Sequence, residues 1–544
     1  MDSQSDVTST DLARNAVRLK RGVNPHARDV SACKFSEPLC LTGSNLTLED
    51  IEQVARFFRV VAISEEAFLN VDRARAVIEE KCEGDGVYYG INTGFGDLCN
   101  VRIDREDLKD LQVNLVRSHA VGVGEPLSEE VVRAVMLIRI NTLIQGNSGV
   151  RRDVVNLLVN FLNNGIHPVI PCKGSVGASG DLAPLAHMAL PLIGEGEVYF
   201  NGEMRETAEV LKETGLVAVI LQEKEGLAVL NGTAVMSAVG ALALLDAERI
   251  AKMVDISGSM SLEALKGVET FLREEIHQMR PHKGQIASAA NMRKLISGSL
   301  ILESQRSSGK VQDAYSLRCM PQVHGASRDT FGFVRQTLEI EVNSVTDNPL
   351  IVSGTGEILS GGNFHGQPVA FAMDYLAIAV AEIANIAESR VSRLINSRYS
   401  DLPAFLIADS GLNSGFMVAQ YTIAALVSEN KVLCHPASVD SIPTCAGQED
   451  HVSMGMIAAR KAREVVENVT NVIAIEFLAA SQGLDFLDPM RSSPVLEAVR
   501  GLIRGHVKNL KQDRRLSLDV AKIVSLMKDG AIIRVAENVV GALK

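Results

Sequence analysis

Basic residues are in deficit in this chain: 54 Lys and Arg against 66 Asp and Glu leave a net charge of -12. Without a global positive field nothing gathers phosphates or anionic lipid, so nucleic acid is excluded as an expected partner. No run approaches the roughly 20 apolar residues that span a bilayer, and the opening Met1-Asp-Ser-Gln-Ser-Asp lacks the apolar core of a signal peptide. The cytosol is the expected compartment. The eight cysteines (Cys33, Cys40, Cys82, Cys99, Cys172, Cys319, Cys434, Cys445) form no CxxC and no Cys/His cluster with zinc spacing, and read as reduced, mostly packing thiols. Nor do the eleven histidines form an HExxH or a paired i, i+4 ligand set, so no metal is expected. Tandem repeats and low-complexity segments are missing too.

What is present is an ordinary soluble composition, 46% hydrophobic and 22% charged over 544 residues, with ample apolar surface for a large core. Residues 1–45 lack sustained periodicity and read as a partly ordered arm. Residues 46–233 form an N-terminal region. It opens on a capped start at Leu46-Thr-Leu-Glu-Asp-Ile, is interrupted by two Gly-rich breaks, and carries a hairpin turn at Phe200-Asn-Gly-Glu. Residues 234–544 carry long apolar-periodic segments at 234–267, 327–346, 367–396, 414–432, 453–482 and 493–511. Several exceed the usual length of a globular helix, so the expected fold is mainly α: a long-helix bundle with a smaller mixed N-terminal region carrying the active-site loops. Apolar faces too broad for one subunit predict oligomerisation.

In the second Gly-rich break, Gly174, Gly177 and Gly180 permit positive φ, and a glycine after Ser179 offers an unhindered amide nitrogen to the Ala178 carbonyl. The segment can fold on itself. Taken alone, Ala-Ser-Gly reads as a plain Gly/Ser loop or a phosphate nest. A Walker pattern is absent, because Lys173 precedes the glycines.

Seven segments occur in order: Tyr89-Gly-Ile-Asn-Thr-Gly-Phe-Gly, Asn114-Leu-Val-Arg-Ser-His-Ala-Val-Gly-Val-Gly, Gly174-Ser-Val-Gly-Ala-Ser-Gly-Asp-Leu-Ala-Pro-Leu, Gly226-Leu-Ala-Val-Leu-Asn-Gly-Thr, Gln312-Asp-Ala-Tyr-Ser-Leu-Arg, Thr346-Asp-Asn-Pro and Gly362-Asn-Phe-His-Gly. Together they resemble the aromatic amino acid ammonia-lyase family over about residues 46 to 510. The resemblance implies a prosthetic group, 4-methylidene-imidazol-5-one, made autocatalytically from Ala178, Ser179 and Gly180 with loss of two waters, and no dissociable cofactor. Its conjugated methylene is electrophilic in a way no standard side chain is, and assists departure of a poor amine leaving group.

The same resemblance implies roles for further residues. Tyr89 takes the β-proton, and Tyr315 is the second phenol by the prosthetic group. Arg318 clamps the substrate carboxylate with two parallel hydrogen bonds. Asn231, Gln312 and Asn348 hydrogen-bond the substrate or the imidazolone oxygen, and Phe364 packs beside the ring. Ser118-His119 resembles the pattern of the histidine-acting members, shared with some tyrosine aminomutases. Glu449, within Ser428 to Gly455, is distinctive of the same members: a carboxylate can accept an imidazole N–H but is left poorly paired against a phenyl ring. The implied activity is elimination of ammonia from L-histidine, with tyrosine or phenylalanine elimination or a 2,3-amino shift as the alternative, in a homotetramer with shared active sites. Helical-bundle lyases of the fumarase type have no use for Ala-Ser-Gly beside two tyrosines. A catalytically dead scaffold is expected to lose Ser179, Tyr89 or Arg318, and all three are present.

Overall fold

A computed structural model describes residues 35–544 with the exception of Asp85. The expected arm therefore lies mostly outside the described residues, and its last part is structured. Leu39–Leu41 forms a strand that pairs in parallel with Val61–Ile63, burying Leu39 and Leu41. The capped start holds. Thr47 Oγ1 accepts the Asp50 N–H at 3.1 Å while Asp50 Oδ2 accepts the Thr47 N–H at 3.3 Å, a reciprocal box that starts the helix Leu48–Phe57.

The mainly α architecture is as expected. Five long helices make the body: α1 (Ala234–Ala264), α2 (Met320–Glu341), α3 (Gln367–Ile395), α4 (Met417–Leu433) and α5 (Gly455–Asp485). α3 and α1 both lie along α5, and α2 lies against α1 and α3. Their small-residue faces permit close approach, and the core between them is almost continuous with that of the N-terminal region. α3 corrects the expectation that no apolar run reaches membrane length. By length and composition it is long and apolar enough to cross one, with mean hydropathy 1.6 over its most apolar window, yet 72% of that window is buried inside the fold. Here the apolar run is bundle core.

A buried ion pair ties the bundle together. Arg390 of α3 donates to Glu476 of α5 at 2.5 and 3.0 Å, and Ser257 and Ser261 of α1 donate to the same carboxylate at 2.7 and 2.9 Å. Both charges are fully buried, and the added donors satisfy the carboxylate, which otherwise would not offset its desolvation.

Strand is sparse. The hairpin Glu197–Phe200 with Glu203–Glu206 turns at Asn201 and Gly202, both at positive φ, as an Asn-Gly two-residue turn requires. A second hairpin, Leu350–Val352 with Glu357–Leu359, follows the Thr346-Asp-Asn-Pro segment. In the N-terminal region the helix Glu129–Leu143 is buried at every residue from Val131 to Leu143, and brings Arg139 against Gly232.

Candidate active site

The Gly174 to Asp181 loop leads into the helix Leu182–Ala189. Ser179 sits at φ 51°, between Gly177 at 83° and Gly180 at 79°, and Gly177 and Gly180 bridge each other. Left-handed φ at a serine is costly, and the surroundings hold it there. The Gly232 N–H donates to the Ser179 carbonyl at 3.2 Å, and the Asp181 N–H donates to the Gly232 carbonyl at 2.7 Å. A Cβ on Gly180 would collide with the Gly232 carbonyl, and one on Gly177 with the Ser453 hydroxyl. Glycine is thus required on both sides of Ala178-Ser179, and the tripeptide is held in a tight turn.

Asp181, the residue after the Ala178-Ser179-Gly180 tripeptide, anchors this loop. Its Oδ2 accepts the Val235 and Met236 N–H groups at 2.9 and 2.8 Å, at the start of α1. Ser175 Oγ lies 3.4 Å from Oδ1. Burial pushes the carboxyl up to about 7 despite these donors.

Across the loop, Ser179 Oγ donates to Glu449 Oε1 at 3.2 Å. Glu449 Oε2 accepts from Thr444 Oγ1 at 2.8 Å, and the backbones of Thr444 and Glu449 bond each other at 3.0 and 3.3 Å, closing a tight loop whose Cys445 and Ala446 are at positive φ. Cys445 Sγ accepts the Asp97 N–H at 3.3 Å, joining this loop to the one that carries Tyr89. The Tyr89 hydroxyl accepts the Gly96 N–H at 3.2 Å. Burial raises the Tyr89 phenol above its ordinary range, the Gly96 hydrogen bond opposes this, and the charge of Glu449 adds to the rise. His119, at the end of the helix Leu108–His119, also feels Glu449, but burial dominates and lowers it. Ser118 Oγ donates to the Leu115 carbonyl at 3.1 Å and lies 3.0 Å from His119 Nδ1, so its polar contact is with the histidine. Ser179, Glu449, Tyr89 and His119 are thus brought together.

Asn231 and Asn348 lie behind the loop. Asn231 Nδ2 donates to Asp347 Oδ1 at 3.2 Å and to the Asn348 carbonyl at 2.9 Å, and its buried Oδ1 has no partner. The Asn348 Oδ1 accepts from Ser360 and from the Gly361 N–H at 3.2 and 2.7 Å. Asp347 also receives Lys224 Nζ at 2.8 Å, with both side chains fully buried. Phe364 is half-buried at the turn before α3, next to His365, whose ring stacks on His451 at 5.7 Å. Among the described residues no group of three or more His, Cys, Asp or Glu is arranged to hold a metal.

Tyr315 and Arg318 form a second group, with Gln312 just before them in the chain, and among the described residues no hydrogen bond, ion pair or ring contact joins them to the side chains above. Arg318 lies over the Tyr315 ring at 4.5 Å and its Nε donates to the Asp313 carbonyl at 2.9 Å, while Tyr315 is 70% exposed. Residues that sequence reasoning missed are Asp181, Thr444, Cys445, Lys224 and Asp347. Asp181 and Asp347 stand inside two of the seven motifs, Thr444 and Cys445 inside the Ser428 to Gly455 segment, and Lys224 carries no local signal.

The description "aromatic amino acid lyase" belongs to the family that matches residues 46–505. A histidine ammonia-lyase of Alkaliphilus oremlandii is 50% identical over 502 residues, 92% of this chain and 99% of that protein. One of Gloeobacter violaceus is 52% identical over 510 residues, 93% and 98% of the two chains. Among solved structures, a histidine ammonia-lyase from Trypanosoma cruzi matches with a TM-score of 0.86 at 44% identity, covering 93% of this chain and 96% of that one. A tyrosine aminomutase from Streptomyces globisporus matches with a TM-score of 0.88 at 39% identity, covering 93% and 100%.

Proposed function

This chain belongs to the aromatic amino acid lyase family, a carbon–nitrogen lyase by that kinship, and we propose that it eliminates ammonia from L-histidine to give trans-urocanate. The observation that carries the choice of substrate is Glu449, a carboxylate fixed by Thr444 and bonded to Ser179, with His119 within its electrostatic reach. An imidazole beside Ser179 satisfies this carboxylate by donating its N–H, and a phenyl ring leaves it unpaired.

The prosthetic group is 4-methylidene-imidazol-5-one from Ala178-Ser179-Gly180, and it supplies an electrophilic carbon that makes the substrate nitrogen a better leaving group. The glycine-enforced bend, the Gly232 N–H on the Ser179 carbonyl and the unpartnered Asn231 Oδ1 support that fit. Tyr89, beside Ser179 through Glu449, takes the β-proton as phenolate, with the Gly96 N–H steadying its oxygen. His119 lines the imidazole side, and Ser118 sets its ring. Asn231 and Asn348 hold the wall behind the ring, with Phe364 against its face.

Arg318 binds the carboxylate, with Gln312 and Tyr315 beside it. The exposure of Gln312 and Tyr315 in the single chain supports a homotetramer in which one subunit completes another's site. So does α4, where Ile423 and Asn430 alone are buried while Val418, Tyr421 and Val432 face outward. The compartment is the cytoplasm.

Separate incubations with L-histidine, L-tyrosine and L-phenylalanine, following conjugated acid and ammonia, test the reading. Urocanate with ammonia from histidine alone is the expected result. A conjugated acid from tyrosine or phenylalanine, or a β-amino acid without ammonia, would replace it with the aminomutase or aromatic-lyase reading.

A further inference from the structure

Arg139, inside the buried helix Glu129–Leu143, is with Arg390 one of the largest fully buried side chains among the described residues. One of its nitrogens donates to the Ala228 carbonyl. Its Nε and Nη1 have no partner, and no carboxylate lies within ion-pair distance of it among the described residues. Burying an uncompensated guanidinium costs several kcal/mol, so a position with no structural return for it calls for another explanation. Burial brings its pKa down only to about 10, so it remains charged at neutral pH.

Where it lies supplies that explanation. A Cβ on Gly232 would meet Nη1 at 2.6 Å, so the guanidinium occupies the side of Gly232 where any other residue would carry its side chain. The other sides of Gly232 are its N–H, donated to the Ser179 carbonyl, and its own carbonyl, which accepts from Asp181. Arg139 therefore stands one residue behind the peptide that would become the ring. Close by, Lys224 and Asp347 pair at 2.8 Å and cancel each other, and Asp347 is the neighbouring charge that Arg139 feels. The cluster of two cations and one anion is left with one net positive charge in a medium where charges act strongly.

Resting on the prosthetic-group reading above, we propose that Arg139 is a positioning residue whose charge, acting through Gly232, favours electron density on the Ser179 carbonyl oxygen during ring formation and in the finished ring. In ring formation the Gly180 nitrogen bonds to the Ala178 carbonyl carbon. That carbonyl oxygen leaves as water with the Gly180 and Ser179 amide protons, and the Ser179 Cα proton and hydroxyl leave as the second water. The Ser179 carbonyl oxygen stays as the ring oxygen. It is conjugated to the methylene, so a cation behind its hydrogen-bond donor draws electrons from that carbon.

The test uses the full chain and reads intact mass and the near-ultraviolet difference spectrum against Ser179→Ala, which isolates the ring, beside thermal unfolding. Arg139→Met is expected to unfold cooperatively, to form the ring roughly tenfold more slowly or worse, leaving chains at full sequence mass, and to shift the ring absorbance. Arg139→Lys should restore both readouts. Lys224→Met leaves Asp347 to neutralise Arg139, and should give the same defect without touching the guanidinium. Complete loss of two waters with unshifted absorbance in Arg139→Met overturns the proposal. Should Arg139→Met not fold, the same result in Lys224→Met overturns it, and failure of both to fold assigns the cluster to stability and overturns it as well. Full sequence mass in the unsubstituted protein is a different failure, that of the prosthetic-group reading itself.

Discussion

Ser179 Oγ donates to Glu449 Oε1 at 3.2 Å across 270 positions of sequence, so the ring-forming loop and the carboxylate assigned to substrate choice meet at one point. With Thr444 holding the other oxygen, Glu449 cannot swing away from a bound side chain. Glu449→Gln keeps the size and removes the charge. Histidine turnover is expected to fall by roughly 1.5–3 kcal/mol of transition-state stabilisation, the range of a charge-assisted hydrogen bond, and slow turnover of phenylalanine to fall less. His119→Phe should lower the histidine-over-phenylalanine ratio of kcat/KM further. An unchanged ratio in both variants contradicts the assignment of this wall to imidazole.

Ser179→Ala lacks the half-buried hydroxyl that leaves in the second water, so the tripeptide stays uncyclised. The melting temperature should move by at most a few degrees, because the change is confined to one loop against a core of this size. The two-water mass deficit and nearly all turnover should vanish. Retained activity at full sequence mass would mean that the electrophile lies elsewhere.

Tyr89 and Arg318 separate chemistry from binding. Tyr89→Phe should lower kcat by orders of magnitude with little change in KM, since a proton-transfer group is lost while the ring remains. Because burial raises the Tyr89 phenol, the active phenolate grows as pH increases, so the alkaline rise in kcat/KM should belong to Tyr89 and disappear in Tyr89→Phe. Arg318→Ala should chiefly raise KM. A Tyr89→Phe enzyme with wild-type kcat would move the base role to Glu449 or Tyr315.

Periodic patterns made the fold largely legible. The segment 234–267 reads as a helix and is one from Ala234 to Ala264, and 367–396 is one from Gln367 to Ile395. The segment 327–346 begins earlier, at Met320, where Pro321 in the first turn serves as a start, and ends at Glu341. The helices Leu516–Lys528 and Ala531–Val540 were not anticipated: at 13 and 10 residues they are short, so even the clear amphipathic pattern of Ala531–Val540 runs through too few turns to stand beside the long segments. Site residues inside contiguous motifs were legible for the same local reason. Arg139 was not, because one arginine in an apolar helix reads as a solvated cation, and it is the Gly232 contact, 93 positions away, that gives it meaning. That no hydrogen bond joins Arg318 to the Ser179 group among the described residues was also beyond local reading, since it is a property of tertiary placement.

Asp181 makes the pH dependence of stability itself a test. Burial raises its carboxyl to about 7 in the folded protein, from 3.8 as a free side chain. Between those values the unfolded chain has released the proton while the folded protein retains it, so stability declines as pH rises through this window, by about 1.4 kcal/mol per unit for a fully separated pair of pKa values. Below the window both states are protonated and the penalty is absent; above it both are ionised and the penalty is complete. Asp181→Asn cannot ionise. Its amide oxygen can still accept the Val235 and Met236 N–H groups, and its nitrogen can face Ser175. The variant should match the parent near pH 4, exceed it progressively as pH rises toward 7, and hold a constant advantage above that. Urea unfolding of both proteins across this range, followed by far-ultraviolet circular dichroism, measures the difference. A gap that is constant with pH would mean that the buried Asp181 is ionised in the fold, held so by the start of α1, and that the N–H groups of Val235 and Met236 outweigh its desolvation.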